Sequence, residues 1–393
     1  MADTTSVQQE RLSKRVNEIQ PSGIRRFFDL ASKMENIISL GVGEPDFVTP
    51  WNVREASISS LERGFTAYSA NAGLPELRQA IADYMSERFS VSYHPESEVL
   101  VTVGASEAID IGMRAILDEG DEVIIVEPTF VSYAPLVTMA GGVPVPVGTS
   151  AKTNFAVRPE DIQAAITPRT KALMICFPNN PTGATMPREG LEEISRLVRE
   201  HELIVFSDEI YAELSYDEEH VCFTSLPGMK EQTVLINGFS KAFAMTGWRL
   251  GFVLAPSDLL GAMLKIHQYS LMCAPTMAQY GALEALQHGM EDVDKMKRSY
   301  QQRRNYFVKT CAEIGLPCHS PGGAFYAFPS IKETGFTSEE FAEKLLLEER
   351  VAVVPGSVFG EGGEGYIRCS YATSLTNLEE ALERMGRFLN RHG

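Results

Sequence analysis

Seven short apolar runs between residues 99 and 255 constrain the fold of this chain most strongly. Helical segments separate several of these runs, and this alternation is typical of strands buried on both faces of a mostly parallel sheet. We therefore predict an α/β fold in which a seven-stranded, mostly parallel sheet lies between helices. The runs are VLVTVG (99–104), EVIIVEP (122–128), VPVPVG (143–148), KALMICF (171–177), LIVFSD (203–208), TVLINGF (233–239) and GFVLA (251–255).

The C-terminal part of the chain predicts a second, smaller α+β unit. A long helical stretch over 258–288 precedes this unit, and a helix over 376–391 ends it. Its predicted strands lie in GAFYAFP (323–329), VAVVPG (351–356) and YIRCSYA (366–372). A chain of 393 residues is long enough for about two domains. We predict a large domain of residues 46–290 and a small domain made of residues 1–45 and 291–393.

Composition argues against several classes of function. The net charge of −17 disfavours binding to nucleic acids and to anionic membranes. The polar N-terminus lacks the apolar segment of a signal peptide, and no window approaches the roughly 18 apolar residues of a membrane span, so we expect a cytoplasmic protein. The six cysteines show no CxxC spacing and the seven histidines no HxxH or HExxH pair. We therefore expect neither a disulfide framework nor a metal site.

The residues that follow the apolar runs are candidate site residues, because ligands of parallel sheets bind beyond the carboxyl ends of the strands. The first run leads directly into a helix, whose free N–H groups and positive dipole end suit a phosphate. The later runs are followed by an aromatic ring, an amide, a carboxylate, a phenol and an amine. The candidates are Gly104, Ala105, Ser106, Thr129, Phe130, Asn179, Asn180, Pro181, Thr182, Gly183, Asp208, Glu209, Tyr211, Ser240 and Lys241.

Lys241 has unusually uncharged neighbours. In LINGFSKAFAMTGWRLGF (235–252) the other charged residue is Arg249, eight positions further on. A lysine in such surroundings should be partly desolvated, which disfavours the ammonium form and exposes a nucleophilic amine. That chemistry suits a Schiff base with an aldehyde or ketone. Most lysines are solvated surface residues, however, so this interpretation depends on the other strand ends.

Together, the strand-end residues match the needs of an aldehyde cofactor that carries a phosphate, a phenolic oxygen and a pyridine nitrogen. Lys241 can bond to the aldehyde, and Asp208 can hold the proton on the ring nitrogen. Asn180 and Tyr211 can donate to the phenolic oxygen, and Phe130 can stack on the ring. Taken alone, each residue has a simpler explanation as a helix cap, a turn residue or part of the core.

The phosphate and the substrate need cations as well. The turn over residues 104–106, with Ser240 nearby, would hold the phosphate together with Arg249. Arg368 in YIRCSYA is the best candidate for a bidentate contact with a substrate carboxylate. Either arginine could instead form an ion pair with one of the many acidic residues.

With these residues in place, the sequence resembles a class I pyridoxal-phosphate aminotransferase of fold type I, and the resemblance covers essentially the whole chain. The subgroup is that of the bacterial aspartate, aromatic and alanine aminotransferases. Within it the chain is most similar to the Bacillus-type alanine transaminase and to acetyl-diaminopimelate transaminases. The motifs are SLGVGEPDF (39–47), TAYSANAGLPELR (66–78), TVGASEA (102–108), PNNPTG (178–183), SDEIYAEL (207–214), SKAFAMTGWRLG (240–251), PGGAFYAFP (321–329), VPGSVFG (354–360) and IRCSYATS (367–374).

The resemblance implies a reaction and a cofactor. An amino group would pass between an L-amino acid (alanine, aspartate or aromatic) and a 2-oxo acid, in ping-pong fashion through pyridoxamine phosphate. The cofactor would be pyridoxal 5′-phosphate. The catalytic residues would be Lys241, which moves the proton, with Asp208 and Tyr211.

The resemblance also implies binding roles and a homodimer with its active site at the interface. Phosphate binding would fall to Ala105, Ser106, Ser240 and Arg249, joined by Tyr68 from a second subunit. The substrate carboxylate would be held by Arg368, Asn180 and the backbone at Gly43.

The substrate side chain and two other functions stay open. A dicarboxylate needs a second cation, for which Arg25 and Arg26 are candidates, whereas Ile24, Phe27 and Phe28 would suit alanine or an aromatic side chain equally. A fold type I β-lyase would use the same Lys241, Asp208 and Arg368. A non-enzymatic ligand-binding regulator would need an added DNA-binding domain of roughly 60 residues, for which this acidic chain leaves little room.

Overall fold

The computed structural model describes residues 11–21, 23 and 34–392. Its strands are β1 (Ile38–Ser39), β2 (Val99–Thr102), β3 (Glu122–Glu127), β4 (Val143–Gly148), β5 (Thr170–Cys176), β6 (Ile204–Asp208), β7 (Thr233–Gly238), β8 (Gly251–Leu254), β9 (Tyr326–Ala327), β10 (Val351–Ala352), β11 (Val354–Pro355) and β12 (Ile367–Ser370). Its helices are α1 (Lys14–Glu18), α2 (Trp51–Glu62), α3 (Pro75–Phe89), α4 (Gly104–Ile116), α5 (Tyr133–Ala140), α6 (Pro159–Ala165), α7 (Arg188–Glu200), α8 (Ser257–Ser270), α9 (Thr276–His288), α10 (Met290–Glu313), α11 (Ser338–Glu349) and α12 (Leu375–His392).

The strands from β2 to β8 form one sheet, in the order β2-β8-β7-β6-β5-β3-β4. Strand β8 runs antiparallel to both of its neighbours, and the other pairs are parallel. The prediction of an α/β fold with a seven-stranded, mostly parallel sheet is therefore confirmed.

Helices cover both faces of this sheet. In β3, Val123 and Ile125 pack with residues of α4, α5 and α8. Ile124 and Val126 pack on the opposite face with residues of α6 and α7. Because successive residues of a strand point to opposite faces, a strand covered on both sides must be apolar at every position. This explains why the apolar runs are nearly continuous and do not alternate with polar residues, apart from the run of the edge strand β4, which is largely unburied.

The C-terminal part of the chain forms a smaller α+β unit. Its sheet has the order β11-β12-β9 and is antiparallel, and its core includes Phe307, Phe341 and Phe388 from helices α10, α11 and α12. The N-terminal strand β1 pairs in parallel with β10, so that Ile38 lies opposite Val351. This pairing joins β1 to the small unit, and the assignment of residues 1–45 to the small domain stays a prediction.

Two of the predicted elements are wrong in detail. The helix predicted over 258–288 is interrupted between α8 and α9, because Pro275 lacks a backbone N–H and disfavours helical geometry at the residue before it. Met272, with a φ of +70°, lies in the same interruption. The strand predicted over 351–356 is two strands: β10 pairs with β1, and β11 pairs with β12.

The N-terminal candidates Ile24, Arg25, Arg26, Phe27 and Phe28 lie outside the described residues. Within the described part of the chain, no helix is long and apolar enough to cross a membrane. The same part contains no group of three or more histidine, cysteine or acidic residues that could hold a metal ion.

Candidate active site

The carboxyl ends of the parallel strands open into a cavity of about 400 Å³. Most of the predicted site residues line this cavity. Tyr68 and seven of the strand-end candidates do not; the seven are Gly104, Thr129, Asn179, Pro181, Thr182, Gly183 and Glu209. The lining residues predicted from the sequence are Gly43, Ala105, Ser106, Phe130, Asn180, Asp208, Tyr211, Ser240, Lys241, Arg249 and Arg368. Tyr68 lies outside it, with 79% of its surface exposed. The structure thus brings together residues that are separated by more than 300 positions in the chain.

Lys241 follows β7 and is the amine of the cavity. Its Nζ donates a hydrogen bond to the carbonyl oxygen of Gly43 at 2.5 Å. Burial, reinforced by the positive charge of Arg368, lowers the pKa of Lys241 from 10.5 to about 8. The desolvation expected from the uncharged sequence around Lys241 is therefore present, and a larger fraction of this amine is neutral near pH 7 than in an ordinary lysine.

Asp208 is the buried carboxylate at the end of β6. Its Oδ1 accepts from the backbone N–H of Ile210 at 3.1 Å, and its Oδ2 accepts from the hydroxyl of Tyr133 at 2.6 Å. Burial raises the pKa of Asp208 to about 6, and the hydrogen bond from Tyr133 opposes that rise. Tyr133 also lines the cavity. It was not predicted as a site residue, because nothing in the sequence distinguishes it from an apolar residue of a short helix.

Three further side chains line the cavity near Asp208, namely Tyr211, Tyr326 and Asn180. The hydroxyls of Tyr211 and Tyr326 lie 2.9 Å apart, and both tyrosines are buried. Asn180 accepts from Arg368 through its Oδ1 at 2.9 Å, so its amide N–H₂ can donate to a ligand. Tyr326 was also missed, because GAFYAFP indicates only a strand of the small unit.

The turn between β2 and α4 forms the end of the cavity that suits an anion. Gly104 has a φ of +76°, and a Cβ there would lie 2.7 Å from Nη2 of Arg249. The backbone conformation therefore favours glycine, and a Cβ at this position would displace the guanidinium of Arg249 from the turn. Ala105 and Ser106 lie in the first turn of the helix, where the N–H groups have no partner within the helix. The arrangement places a cation and a helix N-terminus side by side.

Arg368 is a buried cation on β12, only 3% exposed. Its Nη1 and Nη2 donate to Oδ1 of Asn180 and to the carbonyl oxygen of Gly41, at 2.9 and 2.6 Å. Its Nε is buried without a hydrogen-bond partner, and no carboxylate of the described residues forms an ion pair with it. A buried charge without a counterion costs free energy. An anionic ligand that pairs with this arginine would recover part of that cost.

Comparison with known proteins places these observations in a family. The family described as Aminotransferase class I and II matches residues 35–385. Over 380 residues the chain is 64% identical to YugH of Bacillus subtilis, whose name assigns it provisionally to the aminotransferases, and the match covers 97% of this chain and 98% of YugH. It is 48% identical over 381 residues to the aspartate aminotransferase of Pyrococcus abyssi, covering 96% and 98% of the two chains. The solved structure of the aromatic aminotransferase of Pyrococcus horikoshii matches with a TM-score of 0.89 and 47% identity, covering 93% of this chain and 99% of that one.

Proposed function

The chain belongs to the class I and II aminotransferases, and we propose that its cavity holds pyridoxal 5′-phosphate and transfers amino groups between L-amino acids and 2-oxo acids. One observation carries the proposal. A single cavity is lined by a desolvated amine, a buried carboxylate, a helix N-terminus beside an arginine, and a second arginine that is buried and has no counterion among the described residues.

The lining residues fit this cofactor group by group. When bound, the cofactor would supply an aldehyde that captures amines and a ring that draws electrons from the substrate. Lys241, with its lowered pKa, would hold the aldehyde carbon until the substrate's amino group displaces it, and its freed amine would then move the proton of the substrate's Cα. Ala105, Ser106, Ser240 and Arg249 would bind the phosphate oxygens.

Asp208 would hold the proton on the pyridine nitrogen. Its carboxylate can do so only while it is ionised, and the hydroxyl of Tyr133 stabilises that ionised form. Asn180 and Tyr211 would donate to the phenolic oxygen, and Phe130 would lie against the ring. Arg368 would bind the substrate carboxylate bidentately, which fixes the orientation of the Cα–H bond relative to Lys241.

The substrate side chain is not assigned by the described residues. Among the described residues, the cations that line the cavity are Lys241, Arg249 and Arg368, and each has a role above. The second carboxylate of aspartate would need another cation, such as Arg25 or Arg26 outside the described residues. Alanine, aspartate and aromatic amino acids therefore remain the donors to compare, and the relative kcat/KM values of the three would decide among them.

We also propose a cytoplasmic homodimer. Large apolar side chains are exposed on α2, on the loop before α3 and around the break between α8 and α9; they are Trp51, Ile58, Leu61, Tyr68, Tyr269, Leu271, Met272 and Met277. Two hydrogen bonds connect these segments, from Asn71 to the Met272 carbonyl and from Thr276 to the Ala67 carbonyl. Exposed apolar surface of this extent is typical of a subunit interface.

In the proposed dimer, Tyr68 would contact the cofactor phosphate of the partner subunit. It has no such role within its own chain. We expect sedimentation to give twice the subunit mass, and Tyr68→Phe to weaken cofactor binding roughly tenfold through loss of one hydrogen bond to a charged group. A monomer that binds the cofactor normally would contradict this proposal.

The lowered pKa of Lys241 predicts how fast the cofactor is captured at each pH. Only the neutral amine attacks an aldehyde, so the rate should rise with pH and reach half its maximum near pH 8. At pH 7 roughly a tenth of Lys241 is neutral, compared with about 0.03% of a lysine whose pKa is 10.5. The test mixes cofactor-free protein with pyridoxal phosphate across this range, locks the bond with borohydride, and identifies the labelled peptide by mass spectrometry. Labelling at another lysine, or a midpoint above about pH 10, would count against the proposed function.

Tyr133→Phe should weaken catalysis most at acidic pH. The hydrogen bond from Tyr133 lowers the pKa of Asp208, so its loss raises that pKa, and Asp208 becomes protonated at a higher pH. We expect kcat/KM to fall roughly tenfold, or about 1.5 kcal/mol, and the acidic limb of its pH profile to move to higher pH. Tyr300→Phe is the matched control, because the Tyr300 hydroxyl is also buried but has no hydrogen-bond partner among the described residues. An unchanged acidic limb in Tyr133→Phe would contradict this role.

A further inference from the structure

The carboxylate of Glu107 lies in the first turn of α4, next to the turn over residues 103–106, which we call the phosphate turn. The backbone N–H of Val103 donates to its Oε2 at 2.5 Å, and Nδ1 of His267 lies 2.5 Å from its Oε1. Because a carboxylate can only accept hydrogen bonds, His267 donates in the arrangement in which Glu107 is a carboxylate and Nδ1 carries the proton. His267 belongs to α8 and is fully buried. The pair therefore ties the turn to the helix that packs behind it.

A carboxylate at this place in a helix could compete with the phosphate. The first N–H groups of a helix attract acidic side chains of the first turn as well as bound anions. Here the backbone N–H of Val103, which precedes the helix, and the imidazole of His267 engage both oxygens of Glu107. Among the described residues, Glu107 therefore does not occupy the N–H groups of Ala105 and Ser106, which line the cavity.

His267 also connects the turn to the proposed dimer face. Its carbonyl oxygen accepts from the N–H of Met272 at 3.0 Å, and the Met272 carbonyl accepts from Nδ2 of Asn71 at 2.7 Å. Asn71 lies three positions after Tyr68, the residue proposed to reach the partner's phosphate. A continuous set of contacts therefore connects the phosphate turn of a subunit to the loop of the same subunit that contains Tyr68 and would contact the partner.

We infer that Glu107 and His267 are positioning residues for the cofactor phosphate. They hold the turn over residues 103–106 in the conformation that binds this phosphate. The inference rests on the proposed function, since it takes the ligand of the turn to be a phosphate group. The competing explanation is a buried polar pair that stabilises the fold and has no influence on the ligand.

Two ligands that differ only in the phosphate separate these explanations, namely pyridoxal phosphate and pyridoxal. In the 393-residue chain, Glu107→Gln replaces one acceptor oxygen by a donor, and His267→Leu removes the donor to Glu107. Both variants should raise the dissociation constant of pyridoxal phosphate roughly tenfold or more. The dissociation constant of pyridoxal should change less than about twofold, because the pair acts through the phosphate turn alone.

Two further variants serve as controls. His267→Asn can keep an N–H donor near the position of Nδ1 and should retain most of the affinity for pyridoxal phosphate. Glu76→Gln makes the same chemical change at an exposed residue in the first turn of α3 and should affect neither ligand. If Glu107→Gln does not fold, His267→Leu and His267→Asn still make the comparison.

Three results would overturn the inference. Variants that bind both ligands as well as the unmodified chain would show that the pair has no influence on the phosphate. Equal losses of affinity for both ligands, with His267→Asn binding them as weakly as His267→Leu, would assign the pair to fold stability. An unmodified chain that binds pyridoxal as tightly as pyridoxal phosphate would refute the proposed phosphate site itself, and this inference with it.

Discussion

Replacing Lys241 by alanine should lower the rate of amino-group transfer at least about 10³-fold, because the variant loses both the amine that bonds to the cofactor and the group that moves the Cα proton. The remaining contacts of the cavity do not depend on this amine. Asp208, the phosphate turn and Arg249 should therefore still hold the cofactor without a covalent bond. The measurement is kcat with an amino acid and a 2-oxo acid, combined with equilibrium dialysis of the cofactor.

The control for this prediction is the same substitution at a lysine outside the cavity. Lys309 lies on α10, and its side chain is 77% exposed, with an ion-pair partner in Glu313. Lys309→Ala should therefore keep full activity, since an exposed pair contributes little. If Lys241→Ala retained normal turnover, the assignment of the catalytic amine would be wrong. Far-ultraviolet circular dichroism would show whether Lys241→Ala lost activity only because the variant failed to fold.

Replacing Arg368 should produce the second largest effect, this time on substrate binding. Its guanidinium is buried, is oriented by Asn180 and Gly41, and has no carboxylate partner among the described residues. Losing its bidentate contact with a substrate carboxylate should cost about 2–4 kcal/mol, or roughly 30- to 1,000-fold in kcat/KM. Arg368→Lys keeps the charge but not the planar pair of donors, so it should recover only part of this loss.

The substrate itself provides a test of this role. A primary amine without a carboxylate cannot use Arg368, so its slow conversion should be similar in the unmodified enzyme and in Arg368→Gln. Arg387→Gln makes the matched change at a half-exposed arginine of α12 and should leave kcat/KM unaltered. An Arg368→Gln variant with normal kcat/KM for amino acids would show that another group binds the carboxylate.

The sheet and several site residues could be predicted because their signals are local in the sequence. An apolar run predicts a strand, and the residue after the run predicts a position at the sheet edge; Asp208 and Lys241 were identified in this way. Arg368 was selected from a strand in the small unit, and the structure places it in the same cavity. The catalytic and binding roles of these residues stay predictions until they are tested.

The supporting residues could not be predicted, because their contacts join distant parts of the chain. Tyr133 meets Asp208 across 75 positions, and Glu107 meets His267 across 160. Nothing in the sequence near Tyr133 or His267 distinguishes them from core residues, since each lies in a helix with an apolar face. The break between α8 and α9 was missed for a different reason: Pro275 was present in the sequence, but the apolar pattern on either side of it predicted continuity.

A single half-reaction tests the central claim most directly. The cofactor-loaded enzyme is mixed with one L-amino acid at a time, in the absence of any 2-oxo acid, and the oxo acid and ammonia released are measured. The proposed function predicts one equivalent of 2-oxo acid per subunit, no ammonia, and a second turnover only after a 2-oxo acid acceptor is added. Continued release of oxo acid together with ammonia, without an acceptor, would contradict amino-group transfer and indicate a lyase instead.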